Sequence, residues 1–195
     1  MAFDTFPTRD WLDSELDASV DVETLDGVIS LLASQPPDLA TTLALVVVHN
    51  GQVVREMYGP DTDASTTLIS WSMAKSITQA LVGMAVGDGL LSIHDDHLFP
   101  EWENDDRANI TLGNLLNMTS GLEWLEDYVD DKSSDVIEML FGDKKFVGDH
   151  AAYAASKKLE AKPGTKYLYS SGTTNLVTKI LSRALGEKPG STDAM

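Results

Sequence analysis

The chain has 195 residues, of which 43% are hydrophobic and 23% are charged, as expected of a globular protein with a sizeable core. Its formal net charge of −17 and its isoelectric point near 4.3 argue against nucleic acids and anionic membrane surfaces as partners, because both would be repelled. The absence of cysteine excludes disulfide bonds, thiolate metal sites and a cysteine nucleophile.

The sequence shows no pattern that directs a chain to or through a membrane. Residues 1–26 are acidic and lack the basic segment and the apolar core of a secretory signal. The longest apolar stretch, near Leu81, is interrupted by Gly83, Asp88 and Gly89, so it is too short to span a bilayer. We therefore expect a cytoplasmic protein.

Residues 1–40 are expected to form an N-terminal lead-in that contains one short helix. Apolar residues recur at helical spacing from Val22 to Ala33, which predicts a helix over that range. Pro36 and Pro37 are predicted to stop it.

A β-hairpin is predicted next, where the hydrophobic pattern changes. The β-branched run Leu43–Val48 is typical of a buried strand, and Val53–Tyr58 is predicted to return beside it. Asn50-Gly51 stands between them, and this pair favours a two-residue turn because both positions tolerate positive φ.

The next predicted element is a helix that begins at Ser72 and is ended by Gly87 and Gly89. Apolar residues at helical spacing define its expected buried face, which consists of Ala80, Leu81, Met84 and Ala85.

The histidines do not indicate a metal site or a general base. His49 lies beside the hairpin turn, where a polar rim residue is a better interpretation than a catalytic base. The segment His94–His97 has neither the helical His-x-x-x-His spacing nor a third ligand that zinc requires, so we interpret it as a solvated connection.

The rest of the chain is predicted to be helical, which leaves one hairpin with five or six helices. One helix is predicted at 110–118, with a cap at Asn109 or Thr111, and a second runs from a cap at Ser133 or Ser134 to Phe141. Two more are predicted at 150–158 and at 170–185. The apolar face of the last helix consists of Leu176, Val177, Ile180, Leu181 and Leu185. Residues 188–195 are expected to be a frayed C-terminus. A two-stranded hairpin is not a stable sheet by itself, so part of a sheet is missing from this inventory.

Ser72-Met73-Ala74-Lys75 is the motif that carries the strongest chemical signal. Residues three apart on a helix lie on the same face, so the Lys75 amine can reach the Ser72 hydroxyl. Desolvation beside the apolar face would favour a neutral amine that could act as a base. The alternative is a helix-capping serine followed by a lysine whose stem packs along the helix.

Tyr169, in Tyr169-Ser170-Ser171-Gly172, is the second candidate. A phenol near a lysine ammonium can pass protons between a serine and a leaving group. The alternative is a core tyrosine whose hydroxyl reaches the protein surface.

Three stretches together resemble the serine β-lactamase-related hydrolases, a family that includes class C β-lactamases, penicillin-binding DD-peptidases, esterases and 6-aminohexanoate-dimer hydrolases. They are the Ser72–Lys75 motif, the phrase Leu115–Leu122 (LLNMTSGL), and Pro163-Gly164-Thr165 followed by Tyr169–Gly172. The resemblance covers about residues 40–187 and implies a mixed α and β, β-lactamase/transpeptidase-like fold, with its partial hydrolase domain at 41–187.

The resemblance also implies roles for particular residues. Ser72 would be the acylated nucleophile, with its backbone N–H as half of the oxyanion hole, Lys75 the adjacent base and Tyr169 the proton shuttle. Ser171 stands where lactamases have asparagine, which favours esters or simple amides over β-lactams. Trp124 and Tyr128 would line the substrate pocket, and no metal or organic cofactor is expected.

One family element has no counterpart in this sequence. Family members carry a downstream Lys-Thr-Gly or His-x-Gly strand, and Lys188-Pro189-Gly190 is too close to Tyr169 to replace it. We therefore expect the N-terminal hairpin and the helical region of the fold without its C-terminal strands, and a partner chain or a missing half that completes the sheet. The alternative to a hydrolase is an inactive fragment or a non-catalytic binding protein.

Overall fold

The computed structural model describes residues 11–128, 134–142 and 144–186. These ranges contain one β-hairpin and six α-helices, joined by loops and short 3₁₀ turns. The chain divides into two compact units, Met1–Ile69 and Ser70–Met195. The first unit holds one helix and the hairpin, and the second holds the other five helices. The predicted frayed end at 188–195 lies outside the described residues.

The hairpin of the first unit consists of antiparallel strands β1 (Ala44–His49) and β2 (Gln52–Tyr58). Asn50 has a φ of 50° and Gly51 a φ of 77°, the left-handed conformation that a two-residue turn of this kind requires. The prediction of a hairpin with an Asn-Gly turn is therefore confirmed.

The prediction that β1 is a buried strand is wrong. Its side chains alternate between exposed and half-buried, and Val46 is 52% exposed. Alternate side chains of a strand point to opposite faces, so a strand is fully buried only when both faces are covered. The sheet has two strands in the part of the chain that the structure describes, and a β-branched run cannot reveal what covers it.

The helix predicted at Val22–Ala33 is confirmed with those bounds as α1. The Asp21 carboxylate accepts a hydrogen bond from the backbone N–H of Thr24 at 3.0 Å and so caps the first turn. Asp26 on this helix pairs with Arg55 of β2, with 2.7 Å between Oδ1 and Nε, which ties the helix to the hairpin.

The second unit begins with a 3₁₀ turn at Trp71–Met73 that leads into α2 (Ala74–Gly87). Ser72 therefore lies just before the helix, and not in its first turn as predicted. Only Ala85 of the predicted buried face is buried, together with Val82. The predicted residues Ala80, Leu81 and Met84 are exposed, because α2 carries apolar side chains on more than one face and tertiary packing decides which face is covered.

The core of this unit forms around α6 (Ser171–Ala184), which packs against α2, α3 (Leu112–Leu116) and α5 (His150–Ala155). Most of the predicted apolar face of α6 is buried, while Leu185 is 59% exposed beyond the end of the helix. The buried residues of that face are Leu176, Val177, Ile180 and Leu181.

The helix α3 is shorter than the predicted range 110–118. Thr111 caps it, and the Thr111 and Asn114 side chains form reciprocal bonds with each other's backbone N–H groups. The helix ends early because Met118 takes a φ of 55°, which leaves the right-handed helical region.

The helix predicted to reach Phe141 is α4 (Asp135–Ile137), which continues into a π-helical turn at Glu138–Gly142. Ser134 precedes its first residue, and the alternative cap Ser133 lies outside the described residues.

The helix α5 ends at Ala155 rather than at the predicted Lys158. Donors from another segment take up the carbonyl groups at its end. Trp102 Nε1 donates to the carbonyl oxygen of Ala155 at 2.8 Å. Arg107 Nη1 donates to the carbonyl oxygens of Ala155 and Lys157, at 2.9 Å each.

Candidate active site

The structure brings Ser72, Lys75 and Ser171 into one hydrogen-bonded group. Lys75 Nζ lies 3.1 Å from Ser72 Oγ and donates to Ser171 Oγ at 3.2 Å. Ser72 is exposed and Lys75 is half-buried, so the hydroxyl faces solvent while the amine is held behind it. Ser72 and Lys75 are neighbours in sequence, but Ser171 joins them across 96 positions of the chain.

The backbone at Trp71, immediately before Ser72, adopts a φ of 44°. A bulky residue in the left-handed region is strained by about 1–3 kcal/mol, and such strain concentrates at functional sites. The Trp71 side chain is 78% exposed, so burial of the indole does not compensate for this conformation.

Tyr169 reaches the same place from the segment before α6. Its ring lies over the lysine, with 5.1 Å between Lys75 Nζ and the ring centroid, which is a cation–π distance. Ser170, which is buried, caps α6 by accepting a hydrogen bond from the backbone N–H of Thr173 at 2.9 Å. This cap holds the backbone at Ser170 and so positions its two neighbours, Tyr169 and Ser171.

Two open pockets meet at the candidate nucleophile. One has a volume of about 490 Å³ and is lined by Tyr167, Tyr169 and Met118, among others. The other has a volume of about 310 Å³ and is lined by residues that include Tyr128 and Ser171. Both pockets share the residues Ser72, Lys75, Thr78 and Thr174. A substrate carbonyl at Ser72 would therefore have room on either side.

Glu126 joins this hydrogen-bonded group although it was not among the residues predicted from the sequence. Its carboxylate accepts four hydrogen bonds: the backbone N–H of Ser171 (2.8 Å) and Trp124 Nε1 (2.6 Å) donate to Oε2, while Ser171 Oγ (2.5 Å) and the Tyr128 hydroxyl (2.8 Å) donate to Oε1. The sequence offered a signal in the alternation Trp124-x-Glu126-x-Tyr128, which puts a carboxylate between two aromatic donors.

These contacts set the protonation state of Glu126. Burial raises the pKa of its carboxyl, but the hydrogen bonds from Ser171, Trp124 and Tyr128 outweigh burial and hold the pKa below the ordinary value of 4.5. Glu126 is therefore ionised near neutral pH. Burial and the neighbouring carboxylate raise the pKa of Tyr128, which stays a neutral hydrogen-bond donor.

Trp124 and Tyr128 were both expected to line the pocket, and the structure places them differently. Tyr128 is 59% exposed and lines the smaller pocket. Trp124 is buried, meets the Tyr153 ring edge-on at 6.1 Å between centroids, and is absent from the linings of the two pockets at Ser72. Gly172 makes this possible, since a Cβ there would lie 2.5 Å from the indole ring. Trp124 therefore contacts Glu126 from the buried side, through its indole N–H.

A second carboxylate, Asp135, holds the segment that carries Glu126. Asp135 Oδ2 accepts from the backbone N–H of Leu125 at 2.8 Å, and Oδ1 accepts from Tyr153 and from the ammonium group of Lys157. Burial raises the pKa of Asp135, but the bonds from Lys157, Leu125 and Tyr153 hold it below the ordinary value of 3.8.

We expect acid to loosen this segment before it unfolds the rest of the unit. A carboxyl whose pKa is lowered by folding stabilises the protein above its unfolded pKa, and this stabilisation is lost as pH falls through the folded value. For Glu126 and Asp135 the loss therefore begins as pH falls below their ordinary values of 4.5 and 3.8. Urea denaturation at pH 6.5 and at pH 3.5 should therefore show the stability difference between wild type and Asp135→Asn shrinking at the lower pH. A difference that is unchanged would contradict the assignment, and the exposed Glu123→Gln is the control.

The part of the chain that the structure describes contains no side-chain cluster suited to a metal ion. In the ranges 11–128, 134–142 and 144–186, no group of three or more histidine or acidic side chains could hold a metal ion. In the His94–His97 segment, His97 Nδ1 lies within hydrogen-bonding distance of Glu103 Oε2, at 2.7 Å. None of the described helices combines the length and apolar character needed to cross a membrane.

Solved structures resemble this chain in fold. A proposed 6-aminohexanoate-dimer hydrolase from Bacillus anthracis aligns with a TM-score of 0.65 and 20% identity, over 92% of this chain and 50% of that one. A proposed β-lactamase from Bacteroides dorei aligns with a TM-score of 0.64 and 23% identity, over 87% and 48% of the two chains. The octameric penicillin-binding protein homologue from Pyrococcus abyssi aligns with a TM-score of 0.60 and 23% identity, over 87% and 40%.

The chain thus spans half or less of the length of these solved structures. The likeness confirms the β-lactamase-like mixed α and β fold, of which the chain contains the hairpin and the helical region. A comparison with curated protein sequences gave no significant match. The sequence itself matches the family described as Beta-lactamase over residues 37–191, which is most of its length. The chain therefore belongs to the Beta-lactamase family.

Proposed function

We propose that this chain carries the acylation site of a serine hydrolase that cleaves an ester or an amide bond. The observation that carries the proposal is the position of Lys75 Nζ, within hydrogen-bonding distance of both Ser72 Oγ and Ser171 Oγ. A nucleophile beside an amine, with a third group that orients the amine, is the arrangement that nucleophilic catalysis requires.

In the proposed reaction, Ser72 Oγ attacks the carbonyl carbon while its proton passes to the amine of Lys75, which acts as the base. The C=O electron pair moves to the oxygen, forming a tetrahedral intermediate. As that pair returns, the bond to the leaving group breaks, and Tyr169 relays the proton from Lys75 to the departing oxygen or nitrogen. The product is an acyl-ester of Ser72, and attack by water then releases the acid and regenerates the hydroxyl.

Esters and simple amides are the proposed substrates, in preference to β-lactams. Ser171 accepts from Lys75 and donates to Glu126, and its side chain is too short to extend further into the pocket as an asparagine amide would. This position therefore offers a substrate a hydroxyl in place of an amide, which supports the proposed preference for esters and simple amides.

We further propose that full turnover needs a segment beyond the described residues, or a partner chain. Exposed apolar side chains on both units support this, with Val46 at 52%, Ile77 at 64% and Met84 at 66% exposure. Such a segment or partner would cover these side chains and supply a second oxyanion donor, whose absence typically costs about 10²–10³ in rate. Acylation without fast turnover is then the expected behaviour of this chain alone.

The test is covalent labelling with a fluorophosphonate, read by intact mass and peptide mapping. We expect one adduct on Ser72 in the wild type and none in Ser72→Ala. Ser76→Ala is the matched control, since Ser76 lines the same pocket one turn along the helix. Absence of an adduct on the folded wild type would favour the competing hypothesis, a non-catalytic binding protein. Rates on a p-nitrophenyl ester and on a chromogenic cephalosporin then separate esterase from lactamase.

A further inference from the structure

We propose that Glu126 is a positioning residue that fixes the direction of the hydrogen bonds across Ser171 and so aims the lone pair of Lys75 at Ser72. This inference rests on the proposed function. Glu126 lies three hydrogen bonds away from the Ser72 hydroxyl, with Ser171 and Lys75 in between.

An ionised carboxylate is an acceptor only, and all four of its contacts here come from donors. Two of those donors, the backbone N–H of Ser171 and the indole N–H of Trp124, can donate a hydrogen bond but cannot accept one. The hydroxyls of Ser171 and Tyr128 could rotate, but a carboxylate gives them nothing to accept.

The single proton of the Ser171 hydroxyl is thereby committed to Glu126. The 2.5 Å between Ser171 Oγ and Glu126 Oε1 is the distance of a charge-assisted bond. The oxygen of Ser171 can then only accept from Lys75, which uses one N–H of the amine and holds it in place. When the amine acts as the base, its lone pair is then left to face Ser72 Oγ, which lies 3.1 Å away.

The same carboxylate also favours the product of that proton transfer. Lys75 becomes positively charged as Ser72 attacks, and the negative charge of Glu126 stands directly behind the hydroxyl that accepts from it. Preorganised charge of this kind stabilises a transition state without further rearrangement.

Glu126→Gln would reverse the donor–acceptor direction of the hydrogen bonds that run through Ser171 to Lys75, while it preserves the shape of the side chain at position 126. The amide oxygen would stay with the Ser171 backbone N–H and the Trp124 indole N–H, which can only donate. The amide NH₂ would therefore face the hydroxyls of Ser171 and Tyr128. Ser171 would then accept from Gln and turn its own proton toward Lys75, where it competes for the lone pair. Ser171→Asn would keep the original polarity, because its amide can accept from Lys75 and donate to Glu126.

The experiment measures the maximal rate and the half-saturating concentration of fluorophosphonate labelling at Ser72. We expect Glu126→Gln to lower the maximal rate about 10- to 100-fold, the loss typical of a hydrogen bond to a charged group, with little change in half-saturation. Ser171→Ala should lose a similar factor, and Ser171→Asn should retain most of the rate. In the Ser171→Ala background, Glu126→Gln should add less than about threefold, because the two positions act through one another.

The controls separate positioning from folding. Glu123→Gln removes an exposed carboxyl from the same segment and should label like the wild type. Thermal unfolding should show that Glu126→Gln remains folded, since its oxygen still serves Trp124 and the Ser171 backbone. Equal rates for wild type and Glu126→Gln, or full additivity in the double variant, would overturn this inference alone. A wild type that is not labelled would overturn the proposed function and this inference with it.

Discussion

Replacing Lys75 with methionine should lower the rate of Ser72 acylation by about 10²–10⁴, the range for loss of a positioned general base. Methionine keeps the unbranched stem that packs beside the helix but has no group to accept the serine proton. The amine is also the group that joins Ser72 to Ser171, so both hydrogen bonds are lost at once. The fold should be preserved, because Lys75 is half-buried and makes no ion pair among the described residues.

The measurement is the labelling rate at Ser72, with circular dichroism and thermal unfolding of the same sample. Lys158→Met is the matched control, since it removes an equal charge from an exposed position and should label at the wild-type rate. Acylation that proceeds unchanged in folded Lys75→Met would show that Lys75 is not the base, and the serine–lysine pair would return to a structural interpretation.

Replacing Trp102 with alanine should destabilise the second unit by about 3–5 kcal/mol, the largest stability effect that we expect of any substitution discussed here. The side chain is completely buried, and its ring lies 4.7 Å from that of Phe99 between centroids. The cost is mainly the cavity and the lost apolar burial. The carbonyl of Ala155 would lose the indole N–H but keep its bond from Arg107, so it would not be left without a donor.

Urea denaturation followed by circular dichroism measures this effect, and Trp102→Phe should lose less because it retains a ring. Phe141→Ala serves as the control: that side chain is 81% exposed, and surface changes usually stay within about 0.5 kcal/mol. If Trp102→Ala and Phe141→Ala cost the same, Trp102 is not part of a packed core.

The features that the sequence predicted are those that neighbouring residues decide. The turn at Asn50-Gly51 depends on two residues that tolerate positive φ, and α1 depends on a short periodic run with a cap at Asp21. The pairing of Ser72 with Lys75 is of the same kind, because three residues of helical chain bring their side chains together wherever the helix packs.

Tertiary structure decided which apolar faces are covered. The pattern of α2 suits burial on several sides, and packing against α6 selects Val82 and Ala85 while Leu81 and Met84 stay exposed. In the same way, the β-branched run of β1 shows a preference for strand and carries no information about what covers it.

Tertiary structure also decided that Glu126 lies in the candidate site, behind Ser171. Glu126 appeared as one acid among many in a chain with 31 acidic residues, and its place in the site comes from four donors, two of which belong to Ser171, 45 positions away. By itself the sequence determined the contact between Ser72 and Lys75, the hairpin turn and the family resemblance, because these depend on local spacing and residue type. Only the tertiary structure placed a carboxylate behind Ser171, because hydrogen bonds between distant segments exist only after those segments have packed together.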